Sequence, residues 1–252
     1  MKKLYLLLNL SLLLATSHLY SQNDTLYVYK AGIVINKQSI KTADVDSIIF
    51  YKPAPISLPC DDSTTPYATV TIGTQVWTQK NLNVCKYRNG DDIPQVQDPT
   101  TWKNLKTGAW CYYKNNTANG PVYGKLYNWY AVNDPRGLAP TGYHIPSDAE
   151  WTTLTTYLGG QSVAGGAMKA TTLWIPYNGI NNTNSSGFSG LPGGYRNYDG
   201  TFYSIDRNGN WWSSSESDTT YAWFRNLTYN GGYVNITNYY KEDGFSVRCI
   251  KD

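Results

Sequence analysis

Residues 221–239 contain the segments Tyr221-Ala-Trp-Phe-Arg-Asn-Leu-Thr-Tyr229 and Tyr233-Val-Asn-Ile-Thr-Asn-Tyr239, separated by Asn230-Gly-Gly232. The character of the side chains alternates along both segments, and successive side chains of a β-strand point to opposite faces of the sheet. Asn-Gly between two such runs is a strong signal for a hairpin turn. These residues therefore predict two antiparallel strands, each with an inner and an outer face.

The two faces of this hairpin differ in composition. Together with the last strand, the inner face should supply the core: Trp223, Leu227, Val234, Ile236, Phe245 and Val247. The outer face and the adjoining turns collect aromatic, Asn and Thr side chains: Phe224, Asn226, Thr228, Tyr229, Tyr233, Asn235, Thr237 and Tyr239. Tyr and Asn with few charges are typical of antibody paratopes, whereas an ordinary solvated face carries Lys and Glu. We predict that these eight residues bind a ligand and can vary without harm to the fold; an ordinary solvated face is the alternative.

Helix signals precede this strand-rich region. Ser147 and Glu150 have the spacing of a capping box, which predicts a helix over residues 148–158. Residues 125–132 are a second, shorter helix candidate. From Phe188 onward the sequence indicates only strands and turns. Helices followed by a run of antiparallel strands predict an α+β fold.

The N-terminus has the layout of a secretory signal peptide. Lys2 and Lys3 precede an apolar run over residues 4–15, which is shorter than the roughly 20 residues that a membrane-spanning helix needs. We expect cleavage after Ser17 or Ser21. The mature protein is then exported to the periplasm, the cell surface or the medium, without membrane insertion.

Four segments can be distinguished along the chain. Residues 1–21 are the predicted signal peptide, and residues 22–52 form a β-rich unit too short for a core of its own. Residues 53–66 contain a Pro-rich stretch that we interpret as a semi-rigid spacer. Residues 67–252 are the main domain.

The composition excludes several classes of protein. Charged residues make up 15% of the chain, against about 25% in average globular proteins, and aromatic residues make up another 15%. This excludes a disordered chain and a coiled coil. Removal of Lys2 and Lys3 lowers the net charge from +3 to +1, and no Lys/Arg cluster is present. We therefore expect no nucleic-acid partner.

Candidate catalytic and metal-binding groups are few. Outside the signal region the sequence has a single histidine, His144, and no C-x-x-C pair, so it predicts no zinc site. The pairs Asp61-Asp62 and Asp91-Asp92 lack the pattern of a calcium loop. A hydrolase that uses His144 or Glu216 is the enzyme alternative, but no nucleophile motif accompanies either residue. We expect no enzymatic activity, no metal and no cofactor.

Six ordered motifs resemble the Fibrobacter succinogenes major paralogous domain over about residues 67–252. They are Gln75-Val-Trp-Thr-Gln-Lys-Asn-Leu82, Gly124-Lys-Leu-Tyr-Asn-Trp-Tyr-Ala131, Pro140-Thr-Gly-Tyr-His-Ile-Pro-Ser-Asp-Ala-Glu-Trp151, Leu191-Pro-Gly-Gly-Tyr-Arg196, Trp211-Trp-Ser-Ser-Ser-Glu216 and Gly244-Phe-Ser-Val-Arg-Cys249. That family occurs in exported proteins, notably of Bacteroidetes, and looks related to the C-type-lectin-like fold. The resemblance implies two helices and a twisted antiparallel sheet, with its last strand, residues 245–250, near the start of the domain.

Relatives of that fold suggest different functions. Formylglycine-generating enzymes have a segment similar to residues 144–151, but residues 190–244 lack the cysteine pair that binds their copper. The calcium motifs of sugar-binding lectins, such as Glu-Pro-Asn and Trp-Asn-Asp, are also absent. Residues 221–242 resemble the variable proteins of diversity-generating retroelements, whose changing positions favour Asn, Tyr, Ser and Thr. We therefore expect a non-enzymatic recognition module for a glycan or a surface-protein ligand, with a purely structural surface protein as the alternative.

Four cysteines in an exported protein predict disulfides, and four cysteines allow three pairings. Cys111 and Cys249 lie in segments that resemble the family pattern, whereas Cys60 and Cys85 stand outside it. The resemblance implies the bond Cys111–Cys249, with Cys60–Cys85 as the complementary pair.

Overall fold

The computed structural model describes residues 67–252, the pair Cys60–Asp61 and four strands nearer the N-terminus. The chain divides into two compact units, Met1–Ser57 and Leu58–Asp252. Apart from the strand Tyr5–Leu6, the predicted signal peptide, residues 1–21, lies outside the described residues. The same holds for the predicted spacer, residues 53–66, apart from Cys60–Asp61.

The described strands of the first unit form two short β-pairs. Strand β1 (Tyr5–Leu6) pairs in parallel with β4 (Ile49–Phe50). Strand β2 (Thr25–Lys30) pairs antiparallel with β3 (Ile33–Ser39). Strands therefore lie within the segment 22–52 that the sequence predicts to be β-rich.

The described residues of the second unit form three sheets. The strands β5 (Thr69–Ile72), β6 (Gln75–Thr78), β9 (Tyr143–His144) and β15 (Ile250–Lys251) form an antiparallel sheet in the order β5-β6-β15-β9. The strands β7 (Trp110–Cys111) and β8 (Leu126–Tyr127) form a separate pair. The largest sheet consists of β10 (Gly193–Arg196), β11 (Phe202–Ile205), β12 (Asn208–Glu216), β13 (Tyr221–Thr228) and β14 (Asn235–Tyr240). Its order is β11-β10-β12-β13-β14, with β10 and β12 parallel and the other neighbours antiparallel.

The helices of this unit are short. They are α1 (Pro99–Lys103), α2 (Gly120–Tyr123), α3 (Trp129–Val132), α4 (Asp148–Tyr157) and α5 (Ala164–Met168), with 3₁₀ turns at Tyr113–Asn115 and Thr117–Asn119. The predicted α+β class is confirmed, with more helices in the described residues than the expected two. None of the described helices combines the length and apolar character needed to span a bilayer.

Of the two helices predicted for the domain, one forms as expected and the other forms only in part. Helix α4 begins as expected, because the Ser147 hydroxyl accepts from the Glu150 amide at 3.3 Å and the Glu150 carboxylate accepts from the Ser147 amide at 2.8 Å. In the second candidate, residues 125–132, only the last four residues are helical. Leu126 pairs with Cys111 in a β-ladder instead, and helix α3 starts after the cap residue Asn128.

The five-stranded sheet lies between two hydrophobic clusters. The adjacent residues Trp211 and Trp212 are both fully buried, and each belongs to a different cluster. On one face Trp212 packs against Phe245, with ring centroids 4.3 Å apart. On the other face Trp211 packs against Phe188, at 5.7 Å. Of the predicted core, Leu227, Val234, Phe245 and Val247 are buried, whereas Trp223 and Ile236 are only half-buried.

Buried cationic side chains bind backbone carbonyl groups, which need partners when they leave water. The Arg248 guanidinium donates to the carbonyls of Thr78, Phe188 and Ser189 at 2.6–3.0 Å, and to Asn81 Oδ1 at 2.7 Å. Its complete burial lowers its pKa to about 9.

A second buried cation holds the hairpin turn between β13 and β14. The Lys169 ammonium donates to the carbonyls of Thr228 and Gly231, at 2.9 and 2.7 Å. Burial lowers the pKa of Lys169 to about 8. The turn spans residues 229–234 and is longer than the Asn230-Gly231 signal predicts.

Of the two disulfides that the sequence suggests, Cys60 and Cys85 are joined, with their Cα atoms 5.6 Å apart. Cys111 and Cys249 are free, buried thiols, so the predicted Cys111–Cys249 bond is wrong. The two thiols lie in different clusters, Cys111 with Trp102 and Cys249 with the cluster that contains Phe245. Burial raises the pKa of each thiol to about 12, which keeps both protonated at neutral pH.

Candidate functional site

A concave pocket of about 400 Å³ opens on one face of the five-stranded sheet. Its floor comes from β12, β13 and β14, and its walls come from residues distant in sequence. The described lining residues are Gln161, Tyr195, Asn208, Asn210, Phe224, Asn226, Asn235, Ile236, Thr237, Tyr239 and Phe245. The volume lies within the range of small-molecule sites, about 300–1,000 Å³.

Strand register arranges the floor of the pocket in rows. Asn210 pairs with Asn226, and Asn226 pairs with Asn235 on the next strand. One row along, Phe224 lies between Trp212 and Thr237. Directly paired residues share a face of the sheet. One row therefore consists of three carboxamide side chains, and the next row consists of two aromatic rings and the hydroxyl of Thr237.

The carboxamide row is a hydrogen-bonded ladder. Asn235 Nδ2 donates to Asn226 Oδ1 at 2.8 Å, and Asn226 Nδ2 donates to Asn210 Oδ1 at 2.8 Å. Asn210 Nδ2 in turn lies 3.4 Å from the Gly194 carbonyl, which it approaches as donor. Because each amide fixes its neighbour, the ladder presents preorganised polar groups to the pocket.

Aromatic rings flank this ladder. Phe245 packs against Phe224 with ring centroids 4.6 Å apart, and Tyr195 meets Phe245 edge to face at 5.8 Å. Tyr239 is 39% exposed and lies at the open edge of the pocket. Burial raises the pKa of Tyr195 to about 12 and also raises that of Tyr239, so both phenols are neutral at physiological pH. Among the described lining residues, none carries a charge.

The structure brings five of the eight predicted site residues into the pocket: Phe224, Asn226, Asn235, Thr237 and Tyr239. The expectation of a freely variable face is wrong for two of them, because Phe224 is only 6% and Asn226 only 8% exposed. Phe224 belongs to the core cluster that Phe245 shares. The outer face of the hairpin is therefore covered in part by other segments of the chain.

The other three predicted residues lie at or near the hairpin turn, although Thr228 pairs with the pocket residue Asn208 across β12 and β13. Tyr229 packs edge to face against Tyr177 at 5.5 Å and lies under the Arg207 guanidinium at 5.3 Å. Thr228 is half-buried, and Tyr233 is exposed in the turn. These residues are not among those that line the pocket.

Sequence reasoning missed several lining residues. Asn208 and Asn210 could have been found, because they alternate with Gly209 and Trp211 and thus share the face of Trp212. Gln161 and Tyr195 carry no local signal, since long-range packing alone brings them to the sheet. Phe245 and Ile236 were assigned to the core, and both also line the pocket.

The two candidate catalytic residues are held in other interactions. The ring nitrogens of His144 lie 2.7 Å from Asp252 Oδ1 and 2.8 Å from Glu150 Oε1. Partial burial lowers the pKa of His144, but the hydrogen bonds to Asp252 and Glu150 outweigh it and the pKa is raised overall. Glu216 forms an ion pair with Lys241. Neither residue lines the pocket.

A second pocket, of about 300 Å³, lies near the Cys60–Cys85 disulfide and is lined by residues that include Asp61, Lys80 and Asn83. No group of three His, Cys, Asp or Glu side chains within the described part of the chain is arranged to hold a metal ion.

Comparison with known proteins identifies the family of the chain. None of the curated proteins matches the chain. The model of the Fibrobacter succinogenes major domain matches residues 70–251, which span the whole of the sheet, the helices and the pocket described above. The chain therefore belongs to the Fibrobacter succinogenes major domain family.

Proposed function

We propose that this protein is an exported, non-enzymatic recognition module that binds a glycan or a protein ligand through the pocket on its five-stranded sheet. The observation that carries the proposal is the pairing of a carboxamide ladder with aromatic rings in one concave site. Concave sites that combine aromatic surface with fixed polar groups are a usual kind of binding site for small ligands. In this proposal the domain has a C-type-lectin-like fold.

Export is part of the same proposal. The basic and apolar start of the chain supports a signal peptide, and the Cys60–Cys85 disulfide suits an oxidising compartment such as the periplasm, the cell surface or the medium. The placement of His144 and Glu216 supports a non-enzymatic role, since both side chains are held by ionisable partners away from the pocket. A purely structural surface protein is the competing interpretation.

Binding of the purified protein to an array of glycans and bacterial surface proteins tests the proposal. Tyr239→Ala removes a partly exposed ring from the pocket edge, and Tyr157→Ala removes a ring that is 66% exposed on α4 as the matched control. We expect Tyr239→Ala to weaken binding at least tenfold, about 1.4 kcal/mol, and the control to leave it unchanged. A protein that binds no probe would favour the structural alternative, and ligands whose binding is unaffected by Tyr239→Ala would argue against the pocket as the binding site.

A further inference from the structure

We infer that the ligand of this pocket is a neutral saccharide; the inference rests on the proposed function and narrows its ligand class. The first argument concerns charge. The described lining residues are carboxamide, hydroxyl and aromatic or aliphatic groups, with no ammonium, guanidinium or carboxylate among them. A charged ligand group would lose part of its hydration here without gaining a counter-charge, so its binding would be disfavoured.

Charged side chains near the pocket do not supply this missing counter-charge. Arg225, on the opposite face of β13, donates to Asp148 Oδ1 at 2.6 Å and to the Asp148 carbonyl at 2.9 Å. Lys241 is paired with Glu216. The fully buried carboxyl group of Asp243 has its pKa raised to about 9 by burial, so it is neutral at pH 7 and attracts no cation.

The second argument concerns hydrogen bonding. The side chains of Gln161, Asn208 and Thr237 have no hydrogen-bond partner among the described residues, and the same is true of the hydroxyls of Tyr195 and Tyr239. Each of these groups can both donate and accept. A sugar hydroxyl also does both, so a polyhydroxylated ligand matches this set without leaving donors or acceptors unpaired.

The third argument concerns size and shape. The pocket volume of about 400 Å³ lies within the range of about 300–1,000 Å³ that is usual for small-ligand sites. Its aromatic rings offer flat apolar surfaces to the C–H faces of a sugar ring. Preorganisation of Asn235 by its bond to Asn226 reduces the entropy that binding would cost.

The test uses an array of neutral oligosaccharides, their sialylated and sulfated counterparts, and a panel of peptides, followed by calorimetric titration of the strongest probe. The variants are Tyr239→Ala and Asn235→Ala, with Tyr157→Ala as the control. We expect neutral oligosaccharides to bind, both pocket variants to weaken binding at least tenfold, and the control to behave as wild type. Affinity should also stay constant up to about 1 M NaCl, where the Debye length is only about 3 Å.

The alternative results separate the two proposals. If only acidic glycans or only peptides bind, and Tyr239→Ala weakens their binding, the neutral-saccharide inference is wrong but the pocket remains the binding site. If no probe responds to Tyr239→Ala or Asn235→Ala, both the inference and the proposed function are wrong. Thermal unfolding of each variant verifies that a loss of binding does not reflect a loss of fold.

Discussion

Asn226→Ala should destabilise the protein, because Asn226 is the central member of the carboxamide ladder. The substitution removes two hydrogen bonds of 2.8 Å, one to Asn210 and one from Asn235. Asn210 is only 4% exposed, so its oxygen loses a partner that water replaces poorly, at a cost of about 1–3 kcal/mol. Asn235 is half-buried, so its amide can hydrogen-bond to water instead, and loss of the second bond adds only about 1 kcal/mol to the destabilisation. We expect a total loss of about 2–4 kcal/mol in the free energy of unfolding.

Urea unfolding followed by tryptophan fluorescence measures this loss. The matched control is Asn238→Ala on β14, where a half-buried Asn donates one bond of 2.7 Å to Ser217 Oγ outside the pocket. The control should cost about 1 kcal/mol or less. In a double-mutant cycle, Asn226→Ala and Asn210→Ala should show a coupling of about 0.5–3 kcal/mol. If Asn226→Ala and Asn238→Ala lower the free energy of unfolding equally, and Asn226 shows no coupling to Asn210, the carboxamide ladder does not stabilise the fold as argued.

Three further predictions concern the rest of the domain. The folded-state pKa of His144 is raised, so protonated His144 stabilises the fold fully below about pH 6.5 and this contribution is lost as the pH rises through the folded pKa. The stability gap between wild type and His144→Gln should therefore shrink from about pH 5.5 to about pH 8.5, and a constant gap would contradict the raised pKa. Arg248→Met leaves three backbone carbonyls without their donor and should lower the free energy of unfolding, measured in urea, by about 3–5 kcal/mol; a loss below about 1 kcal/mol would be inconsistent with the observed contacts. Replacing Cys60 and Cys85 by Ser opens a loop with a sequence separation of 25 and should cost about 3.5 kcal/mol, whereas an unchanged urea midpoint would argue against the disulfide.

Local sequence signals predicted the elements whose determinants are local. The capping box at Ser147 and Glu150 located the start of α4, because both its hydrogen bonds join residues three positions apart. Alternation along residues 221–239 located β13 and β14 and grouped Phe224, Asn226, Asn235 and Thr237 on one face, as the strand register shows. Local patterns of this kind depend on few other parts of the chain.

The pocket itself could not be derived in this way. Its walls include Tyr195 and Phe245, and the Phe245 ring turns an expected open face into a concave site by packing on Phe224. Sequence reasoning also missed the buried cation Arg248, because a charged side chain is normally assigned to the surface and its partners are carbonyls distant in sequence. The predicted Cys111–Cys249 bond was wrong because two cysteines in family-like segments need not lie close together in the fold.

The most direct test of the pocket as the binding site is to fill it. Thr237 is exposed on the edge strand β14 and lines the pocket, so Thr237→Trp should occupy the site with little cost in stability. Thr69→Trp, at an exposed position of the edge strand β5, is the matched control. Calorimetric titration with the best neutral oligosaccharide should show binding to wild type and Thr69→Trp and none to Thr237→Trp. Undiminished binding to a folded Thr237→Trp protein would contradict the assignment of the pocket as the ligand site.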